Sequence, residues 1–167
     1  RLSSWMQSAS FIALLFRLEP PSIVGFHEGL QVGGLNAMTR ILCVDDSRHM
    51  RMMIEAVLPD EYEFFWAYHG GEALEYMHTM SFDVVLLDLV MPEMDGIETL
   101  EKLAEKKNKT PILLITGVTD PQKLEEASML GIADFVLKPF DPDFLREKVA
   151  FLVENQGYRI EEGMGEY

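Results

Sequence analysis

Between Arg40 and Asn155 short apolar runs alternate five times with helix-length segments, and no other feature restricts the fold of this chain as strongly. Ile41-Leu42-Cys43-Val44, Val84-Val85-Leu86-Leu87 and Pro111 to Ile115 are continuous apolar runs too short for helices, as expected of strands buried on both faces. Glu63 to Tyr68 is rich in aromatic residues and suits a more peripheral strand, and Phe135-Val136-Leu137 forms the last. The intervening segments carry helical spacing. Ser47 to Leu58 places Met50, Met53, Ile54 and Val57 on one face. Gly71 to Met80 turns Ala73, Leu74 and Met77 inward, with Gly70-Gly71 at the turn before it. Asp95 caps a helix that carries Ile97, Leu100, Leu103 and Ala104. Asp120-Pro121 and Asp141-Pro142 each give an N-cap followed by proline at the first helical position. Gly131 closes the first of these two helices, and the second runs through Phe144, Leu145, Val149 and Leu152.

Strands and helices that alternate in this way build an α/β domain: a doubly wound, five-stranded parallel sheet with helices on both faces and right-handed crossovers. Chemistry in such sheets sits at the carboxyl ends of the strands. Here the first strand ends in Asp45-Asp46, the third in Asp88, the fourth in Thr116-Gly117 and the fifth in Lys138-Pro139. One sheet edge therefore gathers three carboxylates, a hydroxyl and an ammonium. Carboxylates so close repel one another and call for a counter-charge. Hard oxygen donors suit Mg²⁺, which keeps several waters and takes one or two carboxylates plus a phosphate oxygen. Lys138 adds a second, mobile positive charge, Thr116 can donate to an anionic oxygen, and Gly117 leaves space beside it. The set is suited to holding a phosphoryl group on a carboxylate.

Val44-Asp45-Asp46-Ser47, Leu87-Asp88, Met91-Pro92-Glu93-Met94-Asp95-Gly96, Ile115-Thr116-Gly117 and Lys138-Pro139-Phe140 resemble, in order and in spacing, the motifs of response-regulator receiver domains. The resemblance covers residues 38–155. It implies a flavodoxin-like sheet of strand order 2-1-3-4-5, a phosphoacceptor at Asp88, and Mg²⁺ held by Asp46 and Asp88 with Asp45 on a metal-bound water. Val90 would lend only its backbone carbonyl to the metal. Thr116 would close on the phosphoryl group, Lys138 would pair with it, and the Lys138-Pro139 bond would be cis. Phe135 stands where the family has its aromatic switch residue, often Tyr, so an output that needs the hydroxyl is not served. The implied partners are a histidine kinase or histidine phosphotransfer protein upstream, and a protein target that docks on the fourth helix, fifth strand and fifth helix. The resemblance makes the chain a phosphoacceptor of a two-component or phosphorelay system rather than an enzyme with a separate substrate. Val90 and Val118, two positions after Asp88 and Thr116, would flank the path of an attacking water. Both are apolar, so slow self-dephosphorylation is expected.

Rival chemistries lack their own residues. A haloacid-dehalogenase-type phosphatase needs an acid–base Asp two residues after its nucleophile, where this chain has Val90. A flavodoxin-type electron carrier needs a phosphate loop after the first strand, where Asp45-Asp46 would repel FMN phosphate. A nucleotide hydrolase needs a Gly-rich P-loop, and the sequence has none. His27, His49, His69 and His78 show no ligand spacing, and His49 reads as a surface helix residue near the site.

The formal net charge is −14, and all the excess lies beyond residue 37, since Arg1 and Arg17 balance Glu19 and Glu28. Such a surface repels phosphate backbones, so direct nucleic-acid binding is not expected. The single cysteine, Cys43, fits a reducing, cytoplasmic setting. Residues 1–37 read as an upstream extension of little order. Their apolar run, Phe11 to Phe16, is far short of the ~20 residues of a membrane span. Residues 156–167 read as a C-terminal tail, which makes a stand-alone, chemotaxis-type receiver the expectation.

Overall fold

The computed structural model describes residues 38–155. Five strands alternate with five helices: β1 (Arg40–Val44), α1 (Arg48–Val57), β2 (Glu63–Ala67), α2 (Gly70–Thr79), β3 (Val84–Leu87), α3 (Gly96–Glu105), β4 (Ile112–Thr116), α4 (Pro121–Met129), β5 (Asp134–Leu137) and α5 (Pro142–Glu154). The strands form one parallel sheet of order β2-β1-β3-β4-β5, so the expected fold and strand order are observed. The expectations for residues 1–37 and 156–167 lie outside the described residues.

Two-residue periodicity sends alternate strand residues into two separate cores. Ile41, Cys43, Val84, Leu86, Leu113 and Ile115 pack against α1 and α5 through Met50, Ile54, Leu145, Val149 and Leu152. Leu42, Val44, Val85, Leu87, Ile112 and Leu114 face α2, α3 and α4 through Ala73, Leu100, Leu103 and Ala127. β3 is buried along its whole length because helices cover both its faces. Side-chain caps begin the helices as expected: Ser47 Oγ accepts from Met50 N, Asp95 from Glu98 N, Asp120 from Gln122 N, and Asp141 from Asp143 N. Gly131, at φ +89°, follows the end of α4.

One local expectation needs correction. Gly70 is not in a turn before α2 but is its first residue and is buried, with His69 as the N-cap. Ala104 in α3 is exposed. The buried stripe of α3 runs through Gly96, Thr99, Leu100 and Leu103, rotated away from Ala104 because Gly96 and Thr99 pack closely at the start of the helix. Phe144 is 45% exposed, one step off the Leu145, Val149, Leu152 stripe of α5, with the Lys148 ammonium 5.2 Å from its ring centroid.

Candidate functional site at the carboxyl edge of the sheet

Each strand exit delivers its polar residue to the same edge. β3 ends at Leu87, and Asp88 N–H donates to the Val44 carbonyl at 3.0 Å, which fastens the start of the β3–α3 loop beside β1. On the other side of β1, Asp45 N–H donates to the Ala67 carbonyl at 3.1 Å. Thr116, fully buried, ends β4, and its carbonyl accepts from Lys138 N–H at 2.8 Å, which aligns the start of the β5–α5 loop. The Lys138–Pro139 bond is cis, as expected.

The Lys138 ammonium bridges two carboxylates: Asp45 Oδ2 at 2.8 Å and Asp88 Oδ2 at 2.7 Å. Each aspartate uses its other oxygen on its own loop. Asp45 Oδ1 accepts from Ser47 N–H at 2.8 Å, and Asp88 Oδ1 from Val90 N–H at 3.2 Å. Local turns thus fix both carboxylates, and the lysine joins them. Both aspartates are buried, 8% exposed each. Burial works to lower the Lys138 pKa. The hydrogen bonds and charges of Asp45 and Asp88 outweigh it, so the ammonium is held above its ordinary value.

Asp46 does not join this contact. It is exposed beside Asp45, on the solvent side of the β1 exit. Among the described residues no three His, Cys, Asp or Glu side chains close into a metal cage. Mg²⁺ does not need one, because it retains waters and uses few carboxylates. The donors present, Asp45, Asp46, Asp88 and the Val90 carbonyl, are all hard oxygens with more negative charge than Lys138 neutralises, and they fit that ion. The Val90 side chain is 63% exposed, Val118 is half-buried, and Phe135 is half-buried against the α2–α4 core. Thr116 Oγ1 accepts from Val118 N–H at 3.2 Å. His49 is exposed.

The β3–α3 loop that carries Val90 is braced by residues without a site role in the sequence reading. At Gly96 an added Cβ would lie 2.3 Å from the Asp88 carbonyl oxygen and 2.6 Å from Leu89 Cα, and Gly96 N–H donates to the Leu89 carbonyl at 3.0 Å. At Gly70 it would lie 1.8 Å from Thr99 Oγ1, and Gly70 N–H donates to the Met94 carbonyl at 3.1 Å. His69 Nδ1 accepts from Gly71 N–H at 3.1 Å, while its Nε2 is 3.4 Å from Glu93 Oε2, on a residue at φ +64°. The only signals for these contacts were Gly next to Asp95 and Gly after His69, and neither names its neighbour.

The sequence pattern of the response regulator receiver domain matches residues 41–150. The chain belongs to that family. It is 35% identical over 128 residues to the regulatory protein AtoC of Escherichia coli (strain K12), which covers 76% of this chain and 28% of AtoC. It is 35% identical over 115 residues to the CAI-1 autoinducer sensor kinase/phosphatase CqsS of Vibrio cholerae, covering 66% of this chain and 17% of CqsS. Among solved structures, the chemotaxis response regulator CheY4 of Vibrio cholerae superposes with a TM-score of 0.63 at 34% identity, covering 70% of this chain and 99% of CheY4. The receiver spans half or less of the length of the curated relatives named here. The family is that of the phosphoacceptor domains of two-component response regulators, a signalling family rather than one of conventional enzymes, and its members generally bind Mg²⁺ at the phosphorylation site. No helix among the described residues is long and apolar enough to cross a membrane.

Proposed function

We propose that Asp88 of this receiver accepts a phosphoryl group from a phosphohistidine on a histidine kinase or histidine phosphotransfer protein. The observation that carries this is the Lys138 ammonium held at 2.7 Å from Asp88 and 2.8 Å from Asp45 on the carboxyl edge of the sheet. A carboxylate oxygen of Asp88 forms the new P–O bond as the P–N bond to the imidazole breaks, and the bonding pair leaves with the ring nitrogen. Lys138 is placed to pair with a phosphoryl oxygen as charge shifts toward it. Asp46, Asp88 and the Val90 carbonyl would hold Mg²⁺, with Asp45 reaching it through water. When bound, that ion supplies positive charge against the phosphoryl oxygens.

Thr116 would exchange its contact with Val118 N–H for one with the acyl phosphate. Phe135, on the neighbouring strand, would turn inward with it. The responding surface is α4–β5–α5, where Met129, Leu137, Phe144 and Phe151 are exposed, and it serves a protein target rather than a nucleic acid. The structural domain is residues 38–155, flanked by the 1–37 extension and the 156–167 tail, and it acts in the cytoplasm.

Mass spectrometry after incubation with acetyl phosphate and Mg²⁺ tests the chemistry. The expected result is one phosphoryl adduct on wild type, lost on omitting Mg²⁺ and in Asp88→Asn. No adduct on wild type, or one that survives Asp88→Asn, refutes the assignment.

A further inference from the structure

We propose that the outer edge of β2 is a docking site for an extended, basic segment of a partner protein. A groove of about 430 Å³ runs there, lined by Trp66, Tyr68, Glu72, Glu75, Tyr76 and Thr79. It lies at the opposite end of the sheet order from β5, and none of its residues enters the phosphoacceptor site.

Backbone geometry requires an extended occupant. β2 pairs with β1 on one side and with no strand among the described residues on the other. Glu63 N–H donates to the Thr39 carbonyl at 2.8 Å, and the Ala67 carbonyl accepts from Asp45 N–H at 3.1 Å, so these residues turn their backbone groups toward β1. In a parallel ladder the alternate residues, Phe64 and Trp66, turn theirs to the open side. Such an edge invites strand addition, with main-chain bonds for affinity and flanking pockets for selectivity. Tyr68 N–H, next on that side, already donates to Glu72 Oε2 at 2.7 Å, so the groove wall receives a donor from an extended strand.

Side-chain chemistry defines the charge. Two of the six lining residues are carboxylates and none is basic. The Glu75 side chain is exposed and makes no ion pair or hydrogen bond among the described residues. The same ring cluster already accommodates a guanidinium. Arg51 Cζ stands 4.8 Å from the Trp66 ring centroid, and its Nη1 is 3.5 Å from Tyr68 Oη. Rings with carboxylates beside them hold Arg and Lys side chains by cation–π and charge contacts. A second copy of this chain would bring its own Glu72 and Glu75 against these, so charge disfavours β2-to-β2 pairing.

The test is an amide NMR titration of the full chain with a short synthetic peptide that alternates arginine and valine. A peptide alternating glutamate and valine serves as the control. Saturable shifts confined to residues 64–68 and 72–79, with the arginine peptide alone, are expected. Glu75→Gln should weaken that binding about two- to fivefold, and Glu125→Gln, on exposed α4, should leave it unchanged. Four results would overturn the proposal: no shifts at β2, equal shifts with the glutamate peptide, equal weakening by Glu125→Gln, or β2 shifts that follow protein concentration without peptide.

Discussion

Gly96→Ala tests whether close packing of the β3–α3 loop holds Asp88 in place. The added Cβ would sit 2.3 Å from the Asp88 carbonyl oxygen and 2.6 Å from Leu89 Cα, both backbone atoms that no rotamer change can move. Overpacking of this kind costs about 1–3 kcal/mol, and backbone obstacles place it at the upper end. Shifting the loop also weakens the 3.0 Å bond from Gly96 N–H to the Leu89 carbonyl, worth about 1 kcal/mol. Alanine returns at most ~1 kcal/mol of helix propensity at the first position of α3. The net loss is about 2–3 kcal/mol, or roughly 10 °C in Tm for a domain of this size.

Gly117→Ala provides the internal control. An added Cβ there meets nothing within 4 Å, so stability should stay within about 0.5 kcal/mol. Urea unfolding followed by far-UV circular dichroism measures both variants. Acetyl phosphate labelling, read by mass spectrometry, then reports on the site. In Gly96→Ala the displaced Asp88 loses its alignment with Lys138 and Val90 N–H, and the labelling rate should fall about tenfold or more, since such displacements cost up to ~100-fold. Wild-type stability and wild-type labelling in Gly96→Ala would refute the reasoning, because the loop would then move freely without cost.

Two further outcomes follow from the same geometry. Replacing Val90 with Asn and Val118 with Glu puts polar groups beside Asp88 and Thr116, and the phosphoryl lifetime, followed by loss of the adduct after removal of acetyl phosphate, should shorten. An unchanged lifetime would sink the role given to these two positions. Burial first, then the negative charges of Asp45 and Glu55, push the Cys43 thiol well above its ordinary pKa. Its thiolate is therefore suppressed at neutral and mildly alkaline pH, and an aromatic disulfide reagent should label it only as the chain unfolds in urea. Rapid stoichiometric labelling in native buffer would contradict its burial in β1.

The strands and helices were legible because element identity rests on local signals: Val84 to Leu87 is apolar throughout, and Asp120-Pro121 and Asp141-Pro142 mark helix starts with no help from tertiary contacts, whereas the strand order came only from the family resemblance. The site was legible for a different reason. Asp45, Asp88, Thr116 and Lys138 are far apart in sequence, but each ends a strand, and a parallel sheet sends all those ends to one edge. What could not be read was any choice between neighbours. Asp45 and Asp46 are the same residue type, and only the turn that offers Ser47 N–H to Asp45 decides which carboxylate meets Lys138 and which faces solvent. Gly70, Gly96 and the His69–Glu93 contact were equally hidden, since a glycine needed for close approach looks the same in sequence as one needed for a turn. These hidden contacts all converge on the loop after Asp88. Strand-end placement thus brings Asp88 to the carboxyl edge, whereas its alignment depends on backbone packing between α2, α3 and β3, which substitution at Gly96 can disturb without altering any polar group of the site.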